Sequence, residues 1–383
     1  MKPTVKIASL LLAVLMLFSV FASGCTLNKE WSYKTDDNEL AIGVYLSAMY
    51  SAYITAQQYA SKLDDYDASS EKWLDLEITD DDGNTAVARD WILDTAKREC
   101  LEFLAVEAKL KELGASADEA QIKQYETQAE SYWYQNLKKV LSPKGVSMES
   151  FKRFYANYGL EKEKVFDLTY MTGGSQEVKK DEITKFFEEN YIYYSYLPVA
   201  LYDSTTDEAG ATSKVPFTAD KAKNITDTLD GYAKNVNDTA DATAADELSE
   251  KLLKEYATAN ELAEDAVQSG TALKDKTNAP ADEVNEALKK LGEGKATTVK
   301  VTSSSDKSET YYYVVRHTTK AAKDNYLADD THNEEIVHAM KDEEFKKYLA
   351  DYIDEIGYKK SEYVDKYKPS MFFEKPSASN VTA

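Results

Sequence analysis

The sequence predicts a mostly helical α+β fold in which helical segments flank a small α/β unit. Three observations predict it. Residues 39–190 place apolar side chains at helical spacing in stretch after stretch, punctuated by Gly and Pro. Residues 191–320 change texture, with Tyr-, Val- and Ile-rich runs alternating with helical patterns. Residues 321–383 return to a helix whose apolar face needs a partner, and the N-terminal helices are the available surface.

Residues 26–38 are polar and read as a short tether. From Glu39 to around Tyr66 the pattern is helical, with Leu40, Val44, Ala48 and Ala52 on one side. Asp80 to Thr85 is a turn before a long helix over 86–113, which Gly114 should end. Ser116 and Glu119 have capping-box spacing and open a helix that stops at Pro143 and Gly145. Ser147 caps a helix carrying Phe151, Phe154, Tyr155 and Tyr158 on one face; Gly159 should break it before a further helix over 161–170. Ile183, Phe186 and Phe187 mark the next helix.

Tyr191 to Tyr202 then reads as a strand and 203–214 as a polar loop. Helices follow over 218–236, 244–259 and 282–291, and strands over 297–302 and 310–316 form a hairpin around Ser303 to Ser308. Thr331 and Glu334 open the closing helix, in which Phe345, Tyr348, Leu349, Tyr352, Ile353 and Ile356 share a face and Pro369 is the stop.

The N-terminus adds an address. Lys2 and Lys6 precede the apolar run Ile7 to Val20, which is shorter than the roughly 20 residues a membrane span needs. The run ends in Ala22-Ser23-Gly24-Cys25. Small residues fit a narrow peptidase cleft, and the thiol is the atom to which diacylglycerol is attached. The pattern resembles a lipobox, with Ala22 where Leu is usual. Residues 1–24 are therefore expected to be a leader, residues 25–38 the lipidated cysteine and tether, and Cys25 the lipidation site. The expected location is the outer face of the cytoplasmic membrane.

The formal net charge is −22, and loss of Lys2 and Lys6 with the leader makes the remainder more negative still. Such a surface argues against nucleic acid and against a broad electrostatic hold on anionic lipid. With Cys25 used, Cys100 is the one cysteine left, so no intramolecular disulfide can form. Its apolar helical neighbours make it a small buried hydrophobe, and sparse cysteine in an exported protein favours a Gram-positive host.

Metal chemistry finds little support. His317, His332 and His338 have no companion cysteine or HExxH spacing. An EF-hand register on Gly83 would put Ile78 and Arg89 at ligand positions, so Asp80 to Asp82 reads as a solvated turn. No phosphate loop, dinucleotide glycine pattern or nucleophile elbow occurs, and no cofactor is expected. Tyrosine is abundant, 28 in all, and crowds two predicted strands at Tyr191 to Tyr196 and Tyr311 to Tyr313. A broad apolar face with a hydroxyl tip suits sequence-tolerant contact with extended polypeptide, and it equally suits ordinary strand packing.

Met148 to Phe154, followed by Tyr158-Gly159-Leu160, resembles the "sxeefkkxlxxxGl" helix of SurA-type chaperones and PrsA-type foldase lipoproteins. Val178 to Asn190 is similar to the helix that leads into the first strand of their parvulin domain. Val284 to Gly294 resembles the parvulin "xxEAaxxLkxGexS" segment, and Tyr311 to Arg316 sits where that family has its last strand.

The resemblance implies a helical chaperone domain with a returning C-terminal helix and a parvulin-like domain over 191–320. It also implies unfolded or newly exported polypeptides as partners, with membrane attachment through lipid and the option of a homodimer. Catalytic parvulins carry facing histidines in the first and last strands. Here Tyr196 and Tyr313 fall at those positions, Pro198 interrupts the first strand, and the glycine-rich stretch is reduced to Gly270. Weak or absent isomerase activity is therefore expected, with Tyr194, Tyr196, Tyr311 and Tyr313 as candidate client contacts. An active peptidyl-prolyl isomerase with an altered pocket and a non-catalytic envelope adaptor are the alternatives.

Overall fold

The computed structural model describes residues 30–206, 212–263 and 265–374. The expected leader, residues 1–24, and Cys25 lie outside them. The protein is a mostly helical α+β structure, 58% helix and 17% strand, with several small antiparallel sheets. It divides into two compact units, one comprising Met1–Glu177 and Lys341–Ala383, the other Val178–Met340.

The first unit is built on helices α1 (Ile42–Ala60) and α2 (Ala88–Leu113). Val44, Ala48 and Ala52 of α1 and Ile92, Ala96 and Phe103 of α2 are buried, as their helical spacing predicts. Residues 31–34 form a strand in a stretch whose polar composition implies a tether. Strand β1 (Trp31–Lys34) pairs antiparallel with β2 (Glu39–Ala41) and with the short strand Lys359–Lys360. Ser32 and Tyr33 are both buried, Ser32 donating to the Leu40 carbonyl at 3.1 Å and Tyr33 packing edge-on to Tyr45. Residues 31–38 are thus part of the body, not tether; four residues are too few to show the alternation that marks a strand.

Strands β3 (Glu77–Thr79) and β4 (Thr85–Val87) form a hairpin around the acidic turn. Asp80 Oδ1 accepts from the Asn84 and Asp82 backbone N–H groups, which explains that carboxylate as a turn former. Gly114, at φ 60°, ends α2 as expected. The cap of α3 (Glu119–Tyr132) is Asp118, which accepts from Gln121 N at 2.8 Å, and not Ser116. Ser147 does cap α4 (Met148–Lys152). Gly159 does not break the chain's helical path. A π turn, Arg153–Asn157, joins α4 to α5 (Tyr158–Tyr170), and Gly159 lies inside α5.

The closing helix, Asp330–Ile356, is capped by Asp329, whose carboxylate accepts from Thr331 N, and Gly357 at φ 74° ends it well before Pro369. From Lys341 onward it belongs to the first unit. There Phe345 packs edge-on to Phe166 at 5.2 Å, and the Tyr352 hydroxyl donates to Glu112 at 2.9 Å.

In the second unit α6 (Lys180–Asn190) runs directly into β5 (Tyr191–Ala200). A hairpin of β6 (Tyr202–Thr206) and β7 (Thr212–Pro216) occupies the stretch predicted as a polar loop. Its Ser and Thr side chains pair across the strands, so it needs no apolar run to form. Helices α7 (Ala219–Asp238) and α8 (Ala242–Ala259) follow, then strand β8 (Gln268–Leu273), helix α9 (Asp282–Lys290) and strands β9 (Lys295–Thr302) and β10 (Glu309–His317).

The sheet is antiparallel with order β8-β5-β10-β9. Leu229, Val236 and Leu253 of α7 and α8 cover one face, with Leu197, Tyr313 and Val315. Val284 and Leu288 of α9 cover the other, with Ile192, Tyr194 and Val314. Gly294 is required where α9 hands over to β9: its φ is 64°, and a Cβ there would lie 2.7 Å from Ala242 Cα.

Candidate functional site

The two predicted strands of interest, β5 and β10, are neighbours at the centre of the sheet. Their register pairs Tyr313 with Leu197 and Val314 with Tyr196. Because successive side chains alternate between faces, a one-residue offset puts Tyr196 and Tyr313 on opposite faces. They do not face one another, which corrects the expectation for the two degenerate parvulin positions.

Tyr313 is fully buried under α8, 3.2 Å from the Ser249 hydroxyl, and burial pushes its phenol up to about 12. Tyr194 is also buried, its ring crossing Gly270 so closely that a Cβ there would lie 2.7 Å from the hydroxyl. Tyr311 is half-buried and donates to Asp230 at 2.7 Å, while half-buried Tyr196 leans on Tyr194 and Tyr312. Of the four candidate client contacts, Tyr194 and Tyr313 are therefore core. High tyrosine density on two strands is here mainly the packing of a sheet between helices.

The same register assembles a polar group that sequence spacing did not reveal. His317 Nε2 lies 2.9 Å from Ser195 Oγ, and His317 Nδ1 lies 3.2 Å from Asp246 Oδ1. Asp246 Oδ2 accepts from the Thr318 N–H and hydroxyl at 2.9 and 2.8 Å. Burial works to raise the Asp246 carboxyl, but hydrogen bonds from His317 and Thr318 outweigh it and hold the group below its ordinary range. The order Ser, His, Asp invites a nucleophilic reading. All three are more than nine-tenths buried, and the Tyr193 ring lies over His317, so a substrate carbonyl has no approach to the serine oxygen. The group fastens β5, β10 and α8 together.

Exposed aromatic surface is concentrated elsewhere, in the first unit. Tyr125, Tyr132, Tyr134 and Tyr155 are 42, 46, 55 and 48% exposed, and they are four of the seven large hydrophobic side chains so exposed among the described residues. Tyr125 and Tyr132 stand seven residues apart on one face of α3. Tyr132 stacks on Tyr155 at 6.1 Å, and Tyr155 on the buried Phe151 at 5.3 Å, with the buried Trp133 beneath at 5.6 Å from Phe151. Lys138 Nζ sits 4.9 Å from the Tyr134 ring.

Two π turns build this patch, Trp133–Leu137 after α3 and Arg153–Asn157 after α4. Each widens the helix and shifts the phase of the residues that follow, a feature that recurs at functional sites. The helical spacing of Phe151, Phe154, Tyr155 and Tyr158 predicts one common face. The π turn instead leaves Tyr155 exposed and turns Tyr158 inward, where its hydroxyl donates to Glu102 at 2.8 Å.

Among the described residues no cluster of His, Cys, Asp or Glu is arranged to hold a metal ion, and no helix is long and apolar enough to cross a membrane. The Cys100 thiol is buried and thereby pushed well above its ordinary range, which keeps it protonated and inert. No protein-family model matches the chain, and no curated protein is significantly similar to it.

Proposed function

We propose that the protein is an extracytoplasmic holding chaperone or foldase, anchored through lipid on Cys25, that binds unfolded or newly exported polypeptide. The observation that carries this reading is the aromatic patch of Tyr132 and Tyr155 stacked over Phe151. Contiguous exposed rings are costly in water and mark interaction surfaces, and tyrosine binds many sequences because its ring is apolar and its hydroxyl adapts. A tether would add effective concentration at the export site, so weak individual contacts suffice.

The second unit supports the resemblance to parvulin domains at the level of order. A helix leads into the first strand, and first and last strands lie side by side at the centre of one sheet. Its chemistry argues against the alignment that put Tyr196 and Tyr313 at the paired histidine positions, and for a scaffold. Tyr196 and Tyr313 cannot share a pocket from opposite faces, and the one histidine in β10, His317, is sealed within the polar group described above.

Dilution of a chemically unfolded client into the full-length protein in detergent, followed by light scattering, tests the proposal. Suppression of aggregation at stoichiometric amounts is expected, with most of it lost in Tyr132→Ser/Tyr155→Ser. No suppression of several unrelated clients would remove the chaperone reading and favour an adaptor with a single partner.

A further inference from the structure

The sheet of the second unit has two edges, β8 and β9, and the chain guards one of them. An edge strand exposes unpaired N–H and C=O groups that can template another strand, and proteins usually block it with charge, proline, a bulge or a cover. On β9 the Asn237 side chain does this. Its amide oxygen accepts from the Ala296 N–H at 2.9 Å and its amide nitrogen donates to the Ala296 carbonyl at 2.8 Å, as a neighbouring strand would.

The other edge is open. Among the described residues no strand pairs with the outer side of β8, and no other element runs beside it. Its sequence, Gln268-Ser269-Gly270-Thr271-Ala272-Leu273, has neither charge nor proline, and its register with β5 is unbroken. Backbone groups alternate in an antiparallel ladder. The Lys274 N–H donates to the Asn190 carbonyl at 3.0 Å, so Gln268, Gly270 and Ala272 turn their backbone groups to β5 and Ser269, Thr271 and Leu273 turn theirs outward. The Leu273 carbonyl accepts from the Lys276 N–H at 2.9 Å. The N–H groups of all three and the carbonyls of Ser269 and Thr271 remain, at the spacing of an extended backbone.

We infer that β8 receives a segment of extended polypeptide as an added strand, held by backbone hydrogen bonds and therefore tolerant of sequence. The segment it fits is apolar at alternate positions. Leu273 packs with Phe187 and Tyr191 and with half-buried Ile183 and Phe186, so one row of incoming side chains lies beside an apolar surface. A second copy of β8 fits less well. The antiparallel pairing in which Ser269 and Thr271 exchange both bonds sets Gly270 against Gly270 and Gln268 against Ala272, which buries little apolar area. The site is separate from the aromatic patch and does not depend on it.

The test uses full-length protein in detergent and a labelled, soluble peptide of alternating threonine and valine, read by anisotropy. Thr271→Pro removes an outward N–H and leaves the ladder to β5 intact, so binding should weaken about tenfold, the scale of one backbone hydrogen bond. A peptide N-methylated on every second amide keeps one edge and should bind like its parent, whereas one methylated on every amide should not bind. Undiminished binding by Thr271→Pro, or of the fully methylated peptide, would overturn the inference.

Should Thr271→Pro fail to fold, amide exchange in the wild type decides. The Ser269 and Thr271 N–H groups are expected to exchange freely in the protein alone and slowly once the peptide is added, while Gly270 and Ala272 exchange slowly throughout. No slowing on addition of the peptide would overturn the inference, as would protection beforehand by a second copy or by this chain itself. In Tyr132→Ser/Tyr155→Ser the peptide should still protect Ser269 and Thr271, so failure of the patch leaves this result standing; protection lost in that variant would overturn the independence of the edge.

Discussion

Replacing Glu99 with Gln should change how the stability of the first unit depends on pH. In the folded unit burial raises this carboxyl from 4.5 to about 7. An unfolded chain has it ionised above its ordinary value, so between the two values the folded state binds more protons and stability rises as pH falls. The contribution is fully present below about 4.5 and is lost as pH rises through about 7. At about 1.4 kcal/mol for each tenfold change in proton affinity, the interval is worth about 3 kcal/mol.

Glu99→Gln has no such term. The wild type should therefore gain about 3 kcal/mol on the variant as pH falls from about 8 to about 4. Taking the difference cancels the carboxylates whose pKa is lowered, such as Glu112 and Glu344, because they are common to both proteins. Urea unfolding followed by tryptophan fluorescence is the assay. Trp31, Trp73, Trp91 and Trp133 all lie in the first unit, so the signal reports that unit alone. A wild-type-to-variant difference that stays constant across this pH range would refute the reasoning.

In the second unit, Asp246→Ala strips the partners from His317 Nδ1 and from the Thr318 N–H and hydroxyl, and should cost about 3 kcal/mol. That unit has no tryptophan, so amide exchange across β5 and β10 is the readout; unchanged protection there would contradict the fastening role. A proline-peptide isomerisation assay on the full-length protein should return the background rate. A faster rate that Tyr196→Phe abolishes would restore an isomerase pocket on that face.

The long elements were legible because their signals repeat. The spacing of Val44, Ala48 and Ala52, the stop at Gly114, the cap at Ser147 and the tyrosine-rich strand from Tyr191 all follow from local rules. Short pairings were not legible. Strand β1 and the β6–β7 hairpin are held by partners remote in sequence or by Ser and Thr contacts, and their composition is that of loops.

The site was harder to read for two physical reasons. Strand tyrosines are sorted between faces by register, which is set by pairing with another strand, so Tyr196 and Tyr313 gave no warning of their separation. The aromatic patch depends on π turns that break the 3.6-residue phase, and a regular helical count misplaces Tyr155 and Tyr158. Likewise the hydrogen bond from Tyr158 to Glu102 depends on the packing of α5 against α2, which no local pattern encodes.

Site-specific photocrosslinking tests the chaperone reading most directly. A photoreactive phenylalanine analogue would replace Tyr132, Tyr155 or Val215, the last an equally exposed apolar side chain in the second unit. The account predicts that an unfolded client crosslinks strongly from positions 132 and 155 and only weakly from 215. Crosslinking as strong from 215, or none from 132 and 155, would contradict it.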